Sequence, residues 1–152
     1  MGTIHTHGGV PAALCTGPVA SERADCWMLE HRPEAVAQAR RIADESLARW
    51  QASEQMTEAT LLVVSELVTN AVEHARPPLV LHLHLRQDEY GRRVRVEVID
   101  GGPAAHHGTW AASCRDGEHG RGLEIVDLVS TAHGDHVQTG RATHWADLVV
   151  VA

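Results

Sequence analysis

Residues 65–75 read Ser-Glu-Leu-Val-Thr-Asn-Ala-Val-Glu-His-Ala, and Pro77 and Pro78 follow closely. One apolar stripe runs through this segment at steps of three and four residues: Leu61, Val64, Val68, Ala71 and Ala75. This spacing predicts an α-helix. We expect the helix to begin at Thr57, a residue type suited to an N-cap, and to end at Ala75, because proline cannot continue a helix.

The other side of this helix is only partly polar. Glu66, Asn70 and Glu73 lie there, interleaved with Leu62 and Val63. An ordinary surface helix has a plainly polar outer face. These polar residues are therefore expected in the wall of a pocket rather than on an open surface.

A strand hairpin is predicted directly after the helix. Leucines at alternate positions over residues 79–85, and valines at alternate positions over residues 94–98, have the two-residue period of half-buried strands. Residues 88–91 supply the turn. Asp100 continues the parity of the valines, so its side chain should point toward the covered face of the sheet.

The rest of the chain completes an α+β pattern. A helix over residues 33–51 comes first, with an apolar stripe at Val36, Ala39, Ala43, Leu47 and Trp50. Further predicted elements are an edge strand at 26–30, a third helix from Gly120 through Leu128, and closing strands at 136–139 and 143–151. This order predicts a two-layer sandwich, with a mixed, mostly antiparallel sheet and helices on one face. Residues 23–152 form the predicted domain, and residues 1–22 form a predicted flexible N-terminal arm.

The composition is that of a single soluble domain. The chain has 152 residues, 43% hydrophobic and 22% charged, with 13 Lys plus Arg against 20 Asp plus Glu for a net charge of −7. A domain of this size folds without disulfides, and its three cysteines indicate reduced thiols. The acidic balance argues against nucleic-acid binding. No apolar run reaches the ~18 residues of a membrane span and no secretory signal is visible, so the cytoplasm is expected.

Three separated segments call for one explanation: Glu66 with Asn70 on the helix, Asp100-Gly101-Gly102 after a strand, and Gly120-Arg121-Gly122 at a helix start. Residues four apart share a helix face. A carboxylate can accept a proton, and an amide oxygen is a hard ligand suited to Mg²⁺. Glycines at a helix N-terminus let backbone N–H groups approach an anion closely. Together with an inward-pointing aspartate that can bind an amino group such as that of adenine, these features indicate a nucleotide pocket.

Each segment also has a purely structural explanation. Glu66 and Asn70 can form a hydrogen-bonded pair on a solvated helix face. Asp100 can belong to a simple turn after a strand, and Gly120 and Gly122 can serve close packing of a helix. The coincidence of all three segments in this order favours the pocket.

The same segments resemble the GHKL (Bergerat-fold) ATPase superfamily. Residues 66–75 are similar to its N box, residues 100–103 to its G1 box, residues 119–126 to its G2 box, and residues 143–146 to its terminal strand motif. The Ser-Glu-Leu-Val-Thr-Asn-Ala core and the single-domain length most resemble the bacterial anti-sigma factor serine/threonine kinases. The likeness covers about residues 26–151 and implies the histidine kinase-like ATPase fold. Pro103 and Ala104 replace the later part of the common G1 pattern.

The resemblance implies ATP and Mg²⁺ as cofactors and assigns roles to single residues. Glu66 is the implied general base, and Asn70 is the implied ligand of Mg²⁺. Asp100 is the implied partner of the adenine amino group, assisted by Thr143 through a water. Further implied nucleotide-binding residues are His74, Gly102, Gly120, Arg121, Gly122 and Leu123. Residues 103–119 are the implied ATP lid.

The resemblance also implies a regulatory function. The expected activity is ATP-dependent phosphorylation of a serine or threonine on a protein antagonist. This phosphorylation is expected to regulate transcription by switching the binding of the antagonist to a sigma factor. The expected partners are a sigma factor, an anti-anti-sigma antagonist and a second copy in a homodimer, without direct nucleic-acid or membrane contact. A non-catalytic, nucleotide-binding interaction module in a sigma-factor partner switch is the alternative, and ATP hydrolysis alone is a third.

Twelve histidines raise the question of a metal site. His82 and His84 share a strand face, and the pairs at positions 5 and 7 and at 106 and 107 could add ligands. Zinc sites need three or four ligands in tetrahedral geometry. No cysteine or carboxylate spacing supplies such a set, so the sequence favours scattered surface histidines.

Overall fold

The computed structural model describes residues 21–104 and 119–150. The elements along the chain are β1 (Ser21–Leu29), α1 (Ala35–Arg49), α2 (Glu54–His74), β2 (Leu79–Asp88), β3 (Gly91–Asp100), α3 (His119–Val129), β4 (Ala132–Gln138) and β5 (Arg141–Val150). This is the predicted order of elements. The predicted N-terminal arm lies outside the described residues, except that Ser21 and Glu22 belong to β1.

The strands form one five-stranded sheet in the order β1-β2-β3-β5-β4. Each neighbouring pair among these strands is antiparallel. The predicted α+β sandwich is confirmed. A mixed sheet was expected, but the described segments contain no parallel strand pair. Strand β3 pairs with β5 rather than with β4. Helix α3 and the edge strand β4 therefore come between β3 and β5 along the chain, although β3 and β5 are neighbours in the sheet.

The helices cover one face of the sheet, and the predicted alternation on β2 and β3 places the core there. The fully buried side chains of these strands are Leu79, Leu81, Leu83, Leu85, Val94, Val96 and Val98. In α1 the predicted stripe is also correct, since Ala39, Ala43 and Leu47 are completely buried. Apolar burial at about 25 cal/mol per Å² makes this layer the main source of stability.

Helix α2 differs from its prediction in two respects. Its N-cap is Ser53, whose hydroxyl accepts a hydrogen bond from the backbone N–H of Met56 at 3.1 Å. The predicted N-cap at Thr57 was therefore wrong by one turn. Val63, expected on the polar side, is as deeply buried as Val64. Helix α2 packs against the sheet as well as against α1 and α3, so it needs an apolar surface wider than one stripe.

The edge strands are longer than the sequence predicts. Strand β1 begins at Ser21 rather than residue 26, and β4 begins at Ala132 rather than residue 136. Strand β4 is mostly exposed and carries no apolar alternation, so its pairing with β5 depends on backbone hydrogen bonds. None of the helices within residues 21–104 and 119–150 combines the length and apolar character that a membrane crossing requires.

Candidate functional site

The last turns of α2 present three predicted site residues on one side. Glu66, Asn70 and His74 are spaced by four residues, and each is half-buried. Glu73, the other polar residue of this segment, is exposed, and its carboxylate lies 3.5 Å from His74 Nε2. A carboxylate, an amide and an imidazole therefore line one partly covered strip of the helix.

Asp100 is buried at the carboxyl end of β3, as its parity predicts. The residue is 2% exposed, and its Oδ1 accepts a hydrogen bond from the backbone N–H of Gly102 at 2.8 Å. A buried carboxylate is costly unless it is hydrogen-bonded. This local bond orients the carboxylate and folds the Gly101-Gly102 turn around it.

Backbone hydrogen bonds tie this turn to the end of α2. The N–H of Gly101 donates to Arg76 O at 2.7 Å, the N–H of Arg76 donates to Gly102 O at 2.9 Å, and the N–H of Ala104 donates to His74 O at 2.9 Å. A Cβ on Gly101 would lie 2.2 Å from the Pro77 carbonyl oxygen. Glycine is required there, and the approach it allows brings the first two predicted segments together.

The turn between β4 and β5 is the third part of this junction. Gly102 is buried with φ +93°, a conformation that favours glycine, and an added Cβ would meet Gly140 and Arg141 at 3.9 Å. The α2 end, the turn after Asp100 and the β4–β5 turn thus surround one small region.

His144 is a polar partner of Asp100 that the sequence did not identify. Its Nε2 lies 3.0 Å from Asp100 Oδ2, and its Nδ1 lies 2.6 Å from Asp135 Oδ1. The hydrogen bond with Asp100, helped by Asp135, raises the pKa of His144 to about 8 against the opposing effect of burial. At neutral pH the imidazolium donates to both carboxylates. The available signal was parity, because His144 stands among the inward-facing Ala142 and Ala146 of β5.

The structure does not bring Thr143 to Asp100. Thr143 lies opposite Ile99 in the β3–β5 register, whereas Asp100 lies opposite Ala142. Successive side chains of a strand point to opposite faces, so Thr143 faces away from the helices while Asp100 and His144 face them. His144 is the residue that contacts Asp100 directly, and the water-mediated role of Thr143 stays a prediction.

The backbone of the predicted glycine-rich segment lies at the start of α3. Gly120, Arg121, Gly122 and Leu123 are among the first five residues of this helix, which packs against α2. The side chains of residues 119–123, and residues 105–118 of the predicted lid, lie outside the described part of the chain. The predicted helix is confirmed, and the phosphate role of its first turn stays a prediction.

The residues at this junction fit an adenine nucleotide with Mg²⁺. A carboxylate can accept about four hydrogen bonds, and Gly102 and His144 supply two to Asp100. Acceptor capacity is left for an amino group. The amide oxygen of Asn70 is a hard ligand suited to Mg²⁺ beside phosphate oxygens, and it lies one turn from the carboxylate of Glu66.

A comparison with protein families agrees with this arrangement. The model of a histidine kinase-like ATPase domain matches residues 29–143. The matched span includes α1, α2, β2, β3 and α3. No curated protein matches the chain.

Proposed function

The chain belongs to the family of histidine kinase-like ATPase domains, and we propose that it is an anti-sigma factor kinase that phosphorylates a serine or threonine of a protein antagonist. Membership of the family makes it an ATP-binding regulatory protein. The likeness of its Ser-Glu-Leu-Val-Thr-Asn-Ala segment to the anti-sigma factor kinases supports the narrower activity. The proposed partners are a sigma factor and its antagonist in the cytoplasm, with a homodimer as the assembly.

The observation that carries this proposal is the junction of α2 with the turn after Asp100. Three backbone hydrogen bonds of 2.7–2.9 Å hold these segments together. They bring the buried carboxylate of Asp100 to the end of a helix whose half-buried side carries Asn70 and Glu66, which supports the proposed adenine contact. If Glu66 and Asn70 were only a polar pair on a solvated helix face, there would be no reason for the end of that helix to be hydrogen-bonded to the turn after Asp100.

Asp100, Asn70 and Glu66 have different roles in the proposed phosphoryl transfer. Bound ATP·Mg²⁺ supplies the transferable phosphoryl group and the divalent charge that offsets its oxygens. Asp100, oriented by Gly102 and His144, accepts a hydrogen bond from the base. Asn70 would hold the metal through its amide oxygen. Glu66 accepts the proton of the attacking hydroxyl as the new O–P bond forms and the bond to the leaving diphosphate breaks.

The test is transfer of γ-labelled phosphate from ATP to candidate antagonists encoded by neighbouring genes. Loss of the general base in Glu66→Ala should reduce transfer by about 10²–10⁴-fold while calorimetry still detects nucleotide binding. Glu58→Ala is the matched control, because Glu58 is an exposed carboxylate on the same helix. Its rate should equal that of the native chain.

A second pair of variants tests the nucleotide site itself. Asp100→Asn replaces an acceptor oxygen with a donor and should weaken ATP binding by roughly 10–100-fold, the equivalent of about 1–3 kcal/mol. Asp135→Asn removes the charge of the exposed partner of the same histidine and should leave binding nearly unchanged. Binding without transfer to any antagonist contradicts the kinase and supports the interaction module. Phosphate release without a partner supports hydrolysis alone.

A further inference from the structure

The face of the sheet turned away from the helices carries a polar cluster that the proposed nucleotide site does not use. We call this surface the open face. His82 and His84 of β2 lie on it, and Glu97 of β3 stands directly opposite His82 in the antiparallel register. All three side chains are half-buried, so they are neither freely solvated nor enclosed.

The potential ligand atoms of these residues converge. His82 Nδ1 lies 3.1 Å from His84 Nε2 and 3.5 Å from Glu97 Oε2. One nitrogen or oxygen from each residue falls within 4.8 Å of the other two. The two imidazole rings lie close together, with centroids 3.9 Å apart and ring planes tilted by 56°.

Two of the three separations are close to the edge length of a metal coordination polyhedron. Zinc binds nitrogen and oxygen at about 2.0–2.2 Å, so two ligands of a tetrahedral site are separated by roughly 3.3 Å. The measured separations of 3.1 and 3.5 Å lie on either side of that value. We propose that His82, His84 and Glu97 bind one Zn²⁺ ion on the open face, with the fourth position left to water or to a group from a partner.

Neighbouring residues orient the proposed carboxylate ligand. Arg95 lies 3.8 Å from Glu97 Oε1 through its Nη1, which leaves Oε2 directed at His82. The guanidinium is itself held by Asp147, with contacts of 2.6 and 2.8 Å, and lies 4.6 Å above the ring of Trp145. Such outer contacts fix the orientation of metal ligands. The charge of Asp147 offsets part of the charge of Arg95, which reduces the repulsion between the guanidinium and a cation nearby.

This site is independent of the nucleotide pocket. The alternation of side chains places His82, His84 and Glu97 on the face opposite the buried leucines and valines of the same strands. The proposal therefore does not depend on kinase activity. A bound ion would link β2 to β3 and would present an open coordination position on the uncovered side of the sheet.

Calorimetric titration of the full chain with ZnCl₂ tests the proposal. The native chain should bind one Zn²⁺ ion tightly, and any further Zn²⁺ ions bound by other histidines should bind more weakly. Glu97→Gln retains the side-chain shape without the charge, and His84→Ala removes one imidazole. Each variant should lower the affinity for the tightly bound Zn²⁺ ion. The decrease should exceed the roughly 10–100-fold that follows loss of a contact to a metal ligand. The matched control is His136→Ala, since His136 is exposed on β4, and its affinity for the tightly bound ion should be unchanged.

Nuclear magnetic resonance of the imidazole nitrogens provides a readout separate from affinity. One equivalent of Zn²⁺ should shift the ring signals of His82 and His84 in the native chain and in His136→Ala. Zn²⁺ should also raise the melting temperature of the native chain but not that of Glu97→Gln. Equal Zn²⁺ affinity in the native chain and Glu97→Gln, or equal weakening by His136→Ala, overturns the proposal and leaves a hydrogen-bonded histidine pair.

Discussion

The two faces of the sheet are built from alternate residues of the same strands, yet different forces hold them. On the covered face, Leu83 and Val96 are completely buried among other apolar side chains. On the open face, their chain neighbours His84 and Arg95 are half-buried and make polar contacts across strands. Hydrophobic burial is non-directional, whereas hydrogen bonds require a specific partner at a specific distance. The covered face therefore tolerates similar apolar residues, and the open face depends on exact partners.

The largest expected difference between the faces is in the cost of truncating adjacent residues. Leu83→Ala removes a completely buried side chain and should lower the free energy of unfolding by about 2–5 kcal/mol. His84→Ala, one position away on the open face, should lower it by less than about 1 kcal/mol. Urea unfolding in the presence of a metal chelator measures both values. Similar losses for the two variants would remove the distinction between the faces.

A double-mutant cycle on Arg95 and Asp147 measures how much a polar pair contributes to the open face. Two short contacts join these side chains, but the arginine side chain is 42% exposed. We expect a coupling free energy of about 1–2 kcal/mol, above that of fully exposed pairs and below the cost of breaking buried ones. Urea unfolding of Arg95→Ala, Asp147→Ala and the double variant gives the coupling. A value near zero would mean that this pair does not stabilise the open face.

The smallest expected effect concerns His144, a polar residue at the end of the covered face. Contact with Asp100 raises its pKa from the ordinary 6.5 to about 8. A raised pKa in the folded state means that His144 contributes stability below about pH 6.5 and that this contribution is lost as pH rises through about 8. Since the ring is 30% exposed, we expect a loss of about 1 kcal/mol between pH 6 and pH 9.

Urea unfolding at both pH values, repeated for His144→Gln, separates this contribution from those of other titrating groups. The variant should show a smaller decrease in stability over this range than the native chain. An identical decrease would indicate that the contact with Asp100 does not stabilise the charged imidazole. In that case the end of the covered face, like its apolar centre, would owe no stability to a charged contact.

Elements with strong periodicity were predicted with their buried sides, whereas the bounds of elements without it were predicted poorly. The alternating leucines of β2 and the stripe of α1 reveal their buried sides because each pattern repeats over several residues. Strand β4 has no such pattern, and four of its residues were missed. The N-cap was assigned to Thr57 from its residue type alone, whereas the hydrogen bond from the Met56 N–H identifies Ser53 as the N-cap.

The candidate site shows the same division. The inward direction of Asp100 followed from the parity of three valines, and the common face of Glu66 and Asn70 followed from their spacing. The partner of Asp100 did not follow, because His144 is 44 residues away and reaches it only through the β3–β5 register. Thr143, for which the resemblance implies a water-mediated role, lies one residue out of phase with the inward face.

By itself, the sequence determined the order of helices and strands, the buried sides of α1, β2 and β3, and the residues that match an ATP-binding family. The tertiary structure alone decided which distant polar groups meet, as in the contact of His144 with Asp100 and the approach of Glu97 to two histidines. The physical reason lies in the range of each interaction. Periodicity is a property of residues close along the chain, whereas a hydrogen-bond partner or shared ligand depends on strand register, where a slip of one residue exchanges the two faces.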